Sequence, residues 1–202
     1  MKVLNAFILL LFKLPSFLAA KVYNFVALSA AGVQYDQYPV ISGKLLVKGK
    51  GKILIGQAVR INSSLNSNPV GLSSQSVLFS YNNAVIKIGN NVGMSNSLVC
   101  AMESIVIEDD VLLGGGTQIF DNDFHAIQYV QRMQQPDTNI RISPVLIRKG
   151  AFIGCNSIIG KGVVVGQRSV VAAGSVVTKS IPDDEVWGGN PAQFIKAIDN
   201  RL

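Results

Sequence analysis

The chain has 202 residues, of which 49% are hydrophobic, 15% are charged and only 7% are aromatic. This length allows one domain with at most a small appendage, and the aliphatic content excludes an intrinsically disordered chain. The net charge of +6 suggests an anionic partner, but no arginine-rich or aromatic-interleaved basic stretch points to nucleic acid. Two cysteines, Cys100 and Cys155, cannot form a disulfide scaffold, and a single histidine, His125, excludes metal sites built on several imidazoles. We therefore expect neither a nucleic-acid partner nor a bound metal.

The first 38 residues are strongly apolar, and we interpret them as a helical segment separate from the domain that follows. Residues 3–12 are apolar but are followed by Lys13 and Pro15, so the run is shorter than the roughly 20 residues of a membrane span. Four interpretations stay open: a helix packed on the domain or on another copy, a helix at the inner face of a membrane, a membrane anchor, or a signal peptide ending near Ala20. The expected location is the cytoplasm, with or without peripheral membrane contact through this segment.

Aliphatic residues recur at intervals of six along much of the chain, and a small residue usually follows each one. The series is strict from Ile147 to Val177, and it is interrupted earlier, around Ile55 and Ile88. A helix repeats every 3.6 residues and a strand every two, so neither produces this pattern. It is typical of a β-solenoid in which each unit is a short strand and a turn, and three units close one triangular coil. Ile147 should then stack on Val165, eighteen residues later.

Two segments break the period. The spacing from Ile61 to Ile88 predicts a short protruding loop at residues 66–74, and residues 120–144 lose the pattern altogether. A long loop that leaves a regular scaffold is usually functional. The ends of a solenoid must also be covered. We therefore predict an N-terminal helical segment at 1–38, a solenoid domain at 39–191 with the loop 120–144, and a C-terminal cap at 192–202.

Three features together resemble one family. They are the six-residue repeats, a loop motif and a terminal motif, namely Asp121-Asn122-Asp123-Phe124-His125-Ala126-Ile127 and Gly188-Gly189-Asn190-Pro191-Ala192. From about residue 40 to residue 198 the chain resembles the hexapeptide-repeat acyltransferases. Within them it is most similar to the O-acetyltransferases of bacterial sugars and surface polysaccharides, with maltose and galactoside acetyltransferases as more distant relatives. The resemblance implies an all-β fold, a left-handed parallel β-helix, assembled as a homotrimer with active sites between neighbouring subunits.

Transfer of an acetyl group from a thioester to a sugar hydroxyl requires a base that accepts the hydroxyl proton. A neutral imidazole can do this at cellular pH, and His125 is the one candidate in the sequence. In the related enzymes the matching loop histidine is the general base, and no acyl-enzyme forms. Asp121 and Asp123 are candidates to hold the imidazole tautomer or to orient the acceptor's hydroxyl groups. Asn96 lies where relatives place acceptor contacts, although an asparagine at a corner turn is an equal alternative.

The resemblance also implies contacts with acetyl-CoA, the expected cosubstrate. Cys155, Ala173 and Thr178 match coil residues that line the pantetheine arm of the coenzyme. Lys196 matches a basic residue near the adenosine phosphates, and we assign Asn190 of the terminal motif to the same cofactor. Cys155 departs from the small polar residue that is usual at its position. A small, partly buried side chain is therefore a better interpretation for it than a nucleophile.

We predict an acetyl-CoA-dependent O-acetyltransferase acting on a saccharide, such as a bacterial capsule or lipopolysaccharide or its precursor. Two alternatives stay open: a sugar-nucleotide N-acetyltransferase, and a non-catalytic β-solenoid that serves binding or assembly. His125 and its loop separate an enzyme from a scaffold, because a scaffold needs neither. Only the product, an ester or an amide, separates O-transfer from N-transfer.

Overall fold

The computed structural model describes residues 16–70, 75–134, 136 and 139–199. In these residues the backbone winds as a triangular coil, and each turn contributes one strand to each of three sheets. Sheet A contains β1 Gln34–Tyr35, β4 Lys52–Ile55, β7 Val85–Ile88, β10 Ser104–Ile107, β13 Val145–Ile147 and β16 Val164–Val165. Sheet B contains β2 Val40–Gly43, β5 Arg60–Ser63, β8 Gly93–Ser95, β11 Leu112–Leu113, β14 Phe152–Ile153, β17 Val170–Val171, β19 Glu185–Gly189 and β20 Ala192–Ala197. Sheet C contains β3 Leu46–Gly49, β6 Val77–Ser80, β9 Leu98–Ala101, β12 Gln118–Phe120, β15 Ile158–Ile159 and β18 Val176–Val177.

The six-residue period corresponds to one inward-facing aliphatic side chain per strand. Ile147 pairs with Val165 in parallel register, which confirms the predicted stacking eighteen residues apart. These side chains are fully buried and form one continuous core along the coil. Small serines at the corners are also buried, and Ser157 and Ser175 both donate hydrogen bonds to the carbonyl of Ala172. The corners therefore satisfy their own polar groups while the aliphatic residues fill the interior.

Each coil turns at three corners, and two of them carry insertions. At the B–C corner the predicted short loop lies between β5 and β6, in the segment 64–76, of which residues 71–74 are outside the described part. At the C–A corner the long loop occupies residues 121–144, between β12 and β13. It carries its own short helix, α2 Tyr129–Arg132. Both breaks in the period thus correspond to corners and not to lost coils.

The first coil is covered by helix α1 Ser16–Ala30, which packs on β2 and β3. Ala20, Asn24 and Leu28 form its buried stripe at four-residue spacing. The Asn24 amide donates to the carbonyl of Gly43 at 2.8 Å and accepts from the N–H of Leu45 at 2.9 Å. This carboxamide supplies the backbone partners that a preceding coil would otherwise supply. No helix in the described part of the chain is long and apolar enough to cross a membrane.

Both ends of the solenoid differ from the predicted boundaries. Strand β1 already pairs with β4 at Gln34, five residues before the expected start at 39, and residues 1–15 lie outside the described part. At the other end, β20 begins at Ala192 and runs antiparallel to β19. The predicted C-terminal cap is therefore a strand that extends sheet B, and its last residues, 200–202, are outside the description.

Candidate active site

Asp121 attaches the first residue of the long loop to the preceding coil. Its carboxylate accepts the backbone N–H groups of Met102, Glu103 and Ser104 at 2.7, 2.7 and 2.8 Å, and the amide of Asn122 at 3.0 Å. The residue is completely buried. A carboxylate with these partners and no exposed surface cannot contact a substrate. The expectation that Asp121 orients the acceptor is therefore wrong, and its role is to hold the loop.

Cys100 lies behind this attachment point and is buried. Burial, together with the nearby negative charge of Asp121, raises the pKa of the Cys100 thiol to about 11. A thiol with so high a pKa stays protonated at neutral pH and is a poor nucleophile. Cys100 is therefore part of the packing under the loop.

His125 is exposed on a tight turn of the loop. Phe124, just before it, has a φ of +61°, a conformation that bulky residues rarely adopt. That conformation is held by a hydrogen bond from the N–H of Phe124 to the side-chain oxygen of Asn122 at 2.9 Å, and by edge-to-face contact with the ring of Phe120. The backbone N–H of His125 donates to the carbonyl of Asp123 at 2.7 Å. Local bonds thus present the imidazole outside the solenoid on a defined turn.

A second polar contact joins the loop to the following coil. Lys161 Nζ lies 2.6 Å from Asp123 Oδ1, and both side chains are partly exposed, at 30% and 24%. The other carboxylate oxygen, Asp123 Oδ2, is buried and has no hydrogen-bond partner among the described residues. Next to Lys161, the N–H of Gly162 donates to the carbonyl of Ser143, where the loop returns. The loop is therefore fixed to the coil before it through Asp121 and to the coil after it through Lys161.

The outer part of the loop is closed by Arg132, the last residue of α2. Its guanidinium donates to the carbonyls of Ala126 and Ile127, both at 3.0 Å. Arginine can form two such bonds at once because its N–H groups form a planar fork. The two residues that follow His125 in the chain are thereby held in one conformation.

A groove of about 330 Å³ runs along the C–A corner beside the loop, lined by Gly49, Phe79, Tyr81, Asn82, Met102 and Ile142. The rings of Phe79 and Tyr81 stack at 4.3 Å between centroids and 19° between planes. Gly49 has a φ of +90°, and a Cβ there would lie 1.7 Å from the carbonyl oxygen of Ser80, so only glycine fits. Ile142 pairs with Asn122 across the base of the loop. The lining residue Ile142 therefore pairs with the residue that lies three positions before His125 in the chain.

Asn96 lies at the B–C corner, on another edge of the triangle from His125. It is buried, has a φ of +47° and donates its side-chain amide to the carbonyl of Asn68 at 2.7 Å. Its N–H donates to the carbonyl of Asn62, also at 2.7 Å. Left-handed turns favour asparagine because its short side chain bonds locally. Its side-chain oxygen, Oδ1, is buried and has no hydrogen-bond partner among the described residues. Asn96 therefore has the geometry of a corner-turn residue, and its contact with the acceptor stays a prediction.

The predicted coenzyme residues are divided between two corners of the chain. Cys155 and Ala173 share the B–C corner on successive coils, where the N–H of Gly174 donates to the carbonyl of Cys155 at 2.8 Å. Cys155 is partly exposed and Ala173 is exposed. Thr178 instead follows β18 and lies at the C–A corner, the corner from which the loop leaves. A single chain therefore does not bring these three residues together.

Asn190 and Lys196 belong to the hairpin of β19 and β20. Asn190 is exposed at the tip, and Lys196 is exposed on β20 opposite Val186. The hairpin approaches the B–C corner closely: a Cβ on Gly188 would lie 2.9 Å from that of Ala172. The hairpin residues are thus neighbours of the corner that carries Cys155 and Ala173, and His125 lies at the other corner.

Comparison with known proteins connects this geometry to a family. Residues 144–179 match the model described as the hexapeptide repeat of succinyl-transferase. The chain contains the hexapeptide repeat. Among curated proteins, Protein CapG of Staphylococcus aureus is 37% identical over 115 residues, which are 57% of this chain and 54% of CapG. The hexapeptide-repeat chain thus spans about half the length of that relative.

Solved structures confirm the fold and the resemblance. A hexapeptide-repeat acetyltransferase of Vibrio cholerae, crystallised with acetyl coenzyme A, is 34% identical over 57% of this chain and 61% of its own, with a TM-score of 0.52. A maltose O-acetyltransferase of Clostridium difficile is 25% identical over 84% of this chain and 71% of its own, with a TM-score of 0.55. The predicted left-handed parallel β-helix is therefore confirmed, and both of these solved structures are acetyltransferases.

Two parts of the site were missed from the sequence. Lys161 could have been found, because residue 161 follows Ser143 by one eighteen-residue coil and so must lie beside the end of the loop. The pair of Phe79 and Tyr81 gave no comparable signal. Its relation to the loop depends on Ile142, which lies 61 residues after Tyr81 and lines the same groove.

Proposed function

We propose that this hexapeptide-repeat chain transfers an acetyl group from acetyl-CoA to a hydroxyl group of a saccharide, with His125 as the general base. The observation that carries the proposal is the attachment of the loop that holds His125. Asp121 bonds it to one coil and Lys161 to the next, at 2.7 and 2.6 Å. A scaffold gains nothing from an exposed imidazole held in this way, whereas a base must stay within hydrogen-bond reach of its substrate.

The chemical step needs one base and no covalent enzyme intermediate. Neutral His125 takes the proton of the acceptor hydroxyl while that oxygen attacks the thioester carbonyl carbon. The carbon–sulfur bond then breaks, the ester forms, and the coenzyme leaves as a thiolate that takes the proton from protonated His125, which returns to its neutral form. Asp123, whose side chain is 24% exposed and is held by Lys161, is proposed to orient the hydroxyl group of the acceptor, as expected from the sequence. In this proposal Asp123 retains its expected role, and Asp121 does not.

The groove of Phe79 and Tyr81 is the proposed binding place of the acceptor. Aromatic faces suit the C–H face of a sugar ring, and a volume of about 330 Å³ is near the lower end of small-molecule sites. The similarity to a maltose O-acetyltransferase supports a saccharide acceptor. We propose a surface polysaccharide or its precursor as the substrate class. A cytoplasmic location follows, because the cosubstrate acetyl-CoA is a cytoplasmic metabolite.

The coenzyme is proposed to lie between two copies of the chain. Cys155 and Ala173 line one corner, Asn190 and Lys196 lie in the adjoining hairpin, and His125 is at the other corner. In a homotrimer of parallel solenoids, the loop of one copy can meet the B–C corner of its neighbour. Lys196 then supplies a positive charge for the phosphates of the coenzyme. Thr178, at the corner of the loop, contacts the acetyl-bearing end from the other side.

The decisive experiment measures thiol release from acetyl-CoA with a panel of mono- and oligosaccharides. His125→Gln, which keeps size and polarity but cannot act as a base at neutral pH, should lower kcat by about 10²- to 10⁴-fold. Gln128→Ala, three residues along the same exposed loop, is the matched control and should keep wild-type activity. Full activity of His125→Gln would refute the role of His125. No thiol release by the wild type with any saccharide would refute the proposed transfer.

Complementation tests the position of the site between subunits. His125→Gln lacks the base, and Ala173→Trp blocks the B–C corner, so each variant alone should be inactive. When the two variants are co-expressed in equal amounts and trimers form at random, half of the loops and half of the B–C corners are intact. About one site in four then pairs an intact loop with an intact corner, which predicts about a quarter of wild-type activity. No recovery in mixed oligomers would mean that each chain builds its site alone.

Product analysis distinguishes O-transfer from N-transfer. An ester product loses acetate in mild alkali, whereas an amide does not. A base-stable product from an aminosugar acceptor, formed at the same His125-dependent rate, would assign the chain to N-acetylation.

A further inference from the structure

Helix α1 is more apolar on its solvent side than on the side that it buries. The buried stripe consists of Ala20, Asn24 and Leu28. The outward face carries Phe17, Leu18, Val22, Phe25 and Val26, and the side chains of Phe25 and Val26 are 58% and 57% exposed. A helix that only covers the end of a solenoid shows the opposite distribution, since burial of its apolar face stabilises it. The outward face of α1 therefore has the composition of a face that packs against an apolar partner, but the described residues leave it exposed.

The rotation of α1 about its own axis is fixed. Asn24 donates to Gly43 and accepts from Leu45, both buried or partly buried contacts between the helix and the first coil. A rotation that buried Phe25 would break both bonds and leave the polar groups of the first coil without partners. The apolar face is consequently held outward by the same side chain that closes the end of the solenoid.

The end of the molecule that carries α1 is strongly basic. Residues 1–100 contain nine of the 18 lysines and arginines but only one of the 12 acidic residues, Asp36. Lys21 lies 5.9 Å from the ring centroid of Phe17, at the margin of the apolar face, and Lys44 lies 5.3 Å from that of Tyr23. Lys48, Lys50 and Lys52 are exposed on the first coil. Within the described residues 16–100, seven side chains are basic and one is acidic, whereas residues 101–202 of the sequence have nine basic and eleven acidic residues. The first coils, on which α1 packs, therefore carry an excess of positive charge.

We propose that the outward face of α1 docks on a membrane surface that contains anionic lipids. The apolar side chains enter the boundary between headgroups and acyl chains, and the surrounding lysines contact the headgroups, which is how interfacial helices bind. A second copy of the chain is a poorer occupant, because pairing through this end would bring two strongly basic surfaces together. The upstream residues 3–12, apolar and flanked by Lys2 and Lys13, have the same composition as this face.

Sedimentation with sucrose-loaded vesicles tests the proposal on the full-length protein. The vesicles consist of phosphatidylcholine alone or of phosphatidylcholine with phosphatidylglycerol. The wild type should sediment with the anionic vesicles and not with the neutral ones, and binding should weaken as salt is added. Phe25→Ser combined with Val26→Ser should lower the partition coefficient by about tenfold or more. Lys21→Glu with Lys44→Glu should remove the preference for anionic vesicles.

The matched control replaces another exposed aromatic–valine pair, Tyr129→Ser with Val130→Ser, which is 68% and 71% exposed on the loop. It should sediment as the wild type does, and so should His125→Gln, because docking is independent of the proposed transfer. Thermal unfolding of each variant shows that it is folded.

Three results would overturn the proposal. The first is a wild type that binds neither kind of vesicle. The second is vesicle binding that the Phe25 and Val26 substitutions leave unchanged, which would assign binding to another surface. The third is a wild-type protein that does not bind vesicles but forms an oligomer, which light scattering shows to be lost in the Phe25 and Val26 variant. That result would assign this face to a second copy of the chain.

Discussion

The coils at residues 145–177 and the loop at residues 121–144 are adjacent in the chain, but different interactions hold them. In the coils, one aliphatic side chain per strand is buried and stacks on its equivalent in the next coil, as Ile147 does on Val165. In the loop, position depends on two carboxylates: Asp121 with three backbone N–H groups, and Asp123 with Lys161. Hydrophobic burial is not directional, whereas hydrogen bonds to a charged group are.

This difference suits the two regions to different tasks. A stack of similar aliphatic residues tolerates exchange of one for another of similar volume, and it stabilises the whole molecule. A loop that presents a single imidazole must keep one geometry without a core of its own. Charged hydrogen bonds at its base supply that geometry. We therefore expect substitutions in the coils to change stability, and substitutions in the loop to change activity and local order.

The largest effect is expected for Ile153→Ala in β14. The side chain is fully buried in the stack, so its truncation should lower the free energy of unfolding by about 2–5 kcal/mol. Activity per folded molecule should stay unchanged. Denaturant unfolding measures the loss, with Phe152→Ala, the outward neighbour on the same strand, as the control with a much smaller effect. A large loss of activity in folded Ile153→Ala would contradict the separation of roles.

The next largest is expected for Asp121→Asn. The neutral amide replaces one acceptor oxygen by a donor that faces the N–H groups of Met102 to Ser104. We therefore expect the free energy of unfolding to fall by about 2–3 kcal/mol. The loop should become accessible to trypsin at Arg132 and Arg141. Limited proteolysis followed by mass spectrometry measures this, with Asp110→Asn on the surface as the control. Unchanged cleavage would show that Asp121 does not hold the loop.

A smaller effect on stability, and a distinct one on catalysis, is expected for Lys161→Met. The ion pair with Asp123 is partly exposed, so its loss should cost less than about 1 kcal/mol of stability. Movement of the turn before His125 should lower kcat by about tenfold while the affinity for acetyl-CoA stays the same. Lys179→Met, at the same corner one coil further along, is the matched control. Equal kcat values in the two variants would show that Lys161 does not position His125.

The smallest effect concerns the two thiols, one under the loop and one on the coils. The pKa of Cys100 is raised to about 11, so its reactive thiolate is scarce at neutral pH and becomes abundant only as the pH approaches that value. Iodoacetamide should therefore modify Cys155 near neutral pH and Cys100 only in strong alkali. Peptide mass mapping of the wild type and of Cys155→Ser measures both rates. Rapid modification of Cys100 at neutral pH would mean that the base of the loop opens.

Much of the scaffold was predictable because the solenoid is nearly one-dimensional. Between residues 145 and 177 each strand pairs with its equivalent eighteen residues away, so a period in the sequence translates directly into register, as for Ile147 and Val165. The positions of both insertions followed from the same counting. The start of the solenoid at Gln34 did not, because the pair of β1 with β4 has no six-residue signature of its own.

The roles of polar side chains were harder to predict, and the expectation that Asp121 contacts the acceptor was wrong. Asp121 and Asn96 stand in patterns that suggest chemistry, but each bonds backbone groups that are distant in sequence, at Met102 to Ser104 and at Asn62 and Asn68. A carboxylate in a motif does not reveal whether its partners are ligands or peptide groups. Only the path of the neighbouring coil determines that.

The sequence by itself determined the coil, its aliphatic interior, the corner at which the loop leaves and the single imidazole that the loop carries. These follow from a strict period and from a count of one histidine. The tertiary structure alone decided which side chains hold the loop, that Asn24 takes the place of a missing coil, and that α1 turns its apolar face outward. The reason is physical: a stacked core repeats a local rule, whereas a directional bond depends on where a distant segment of backbone lies.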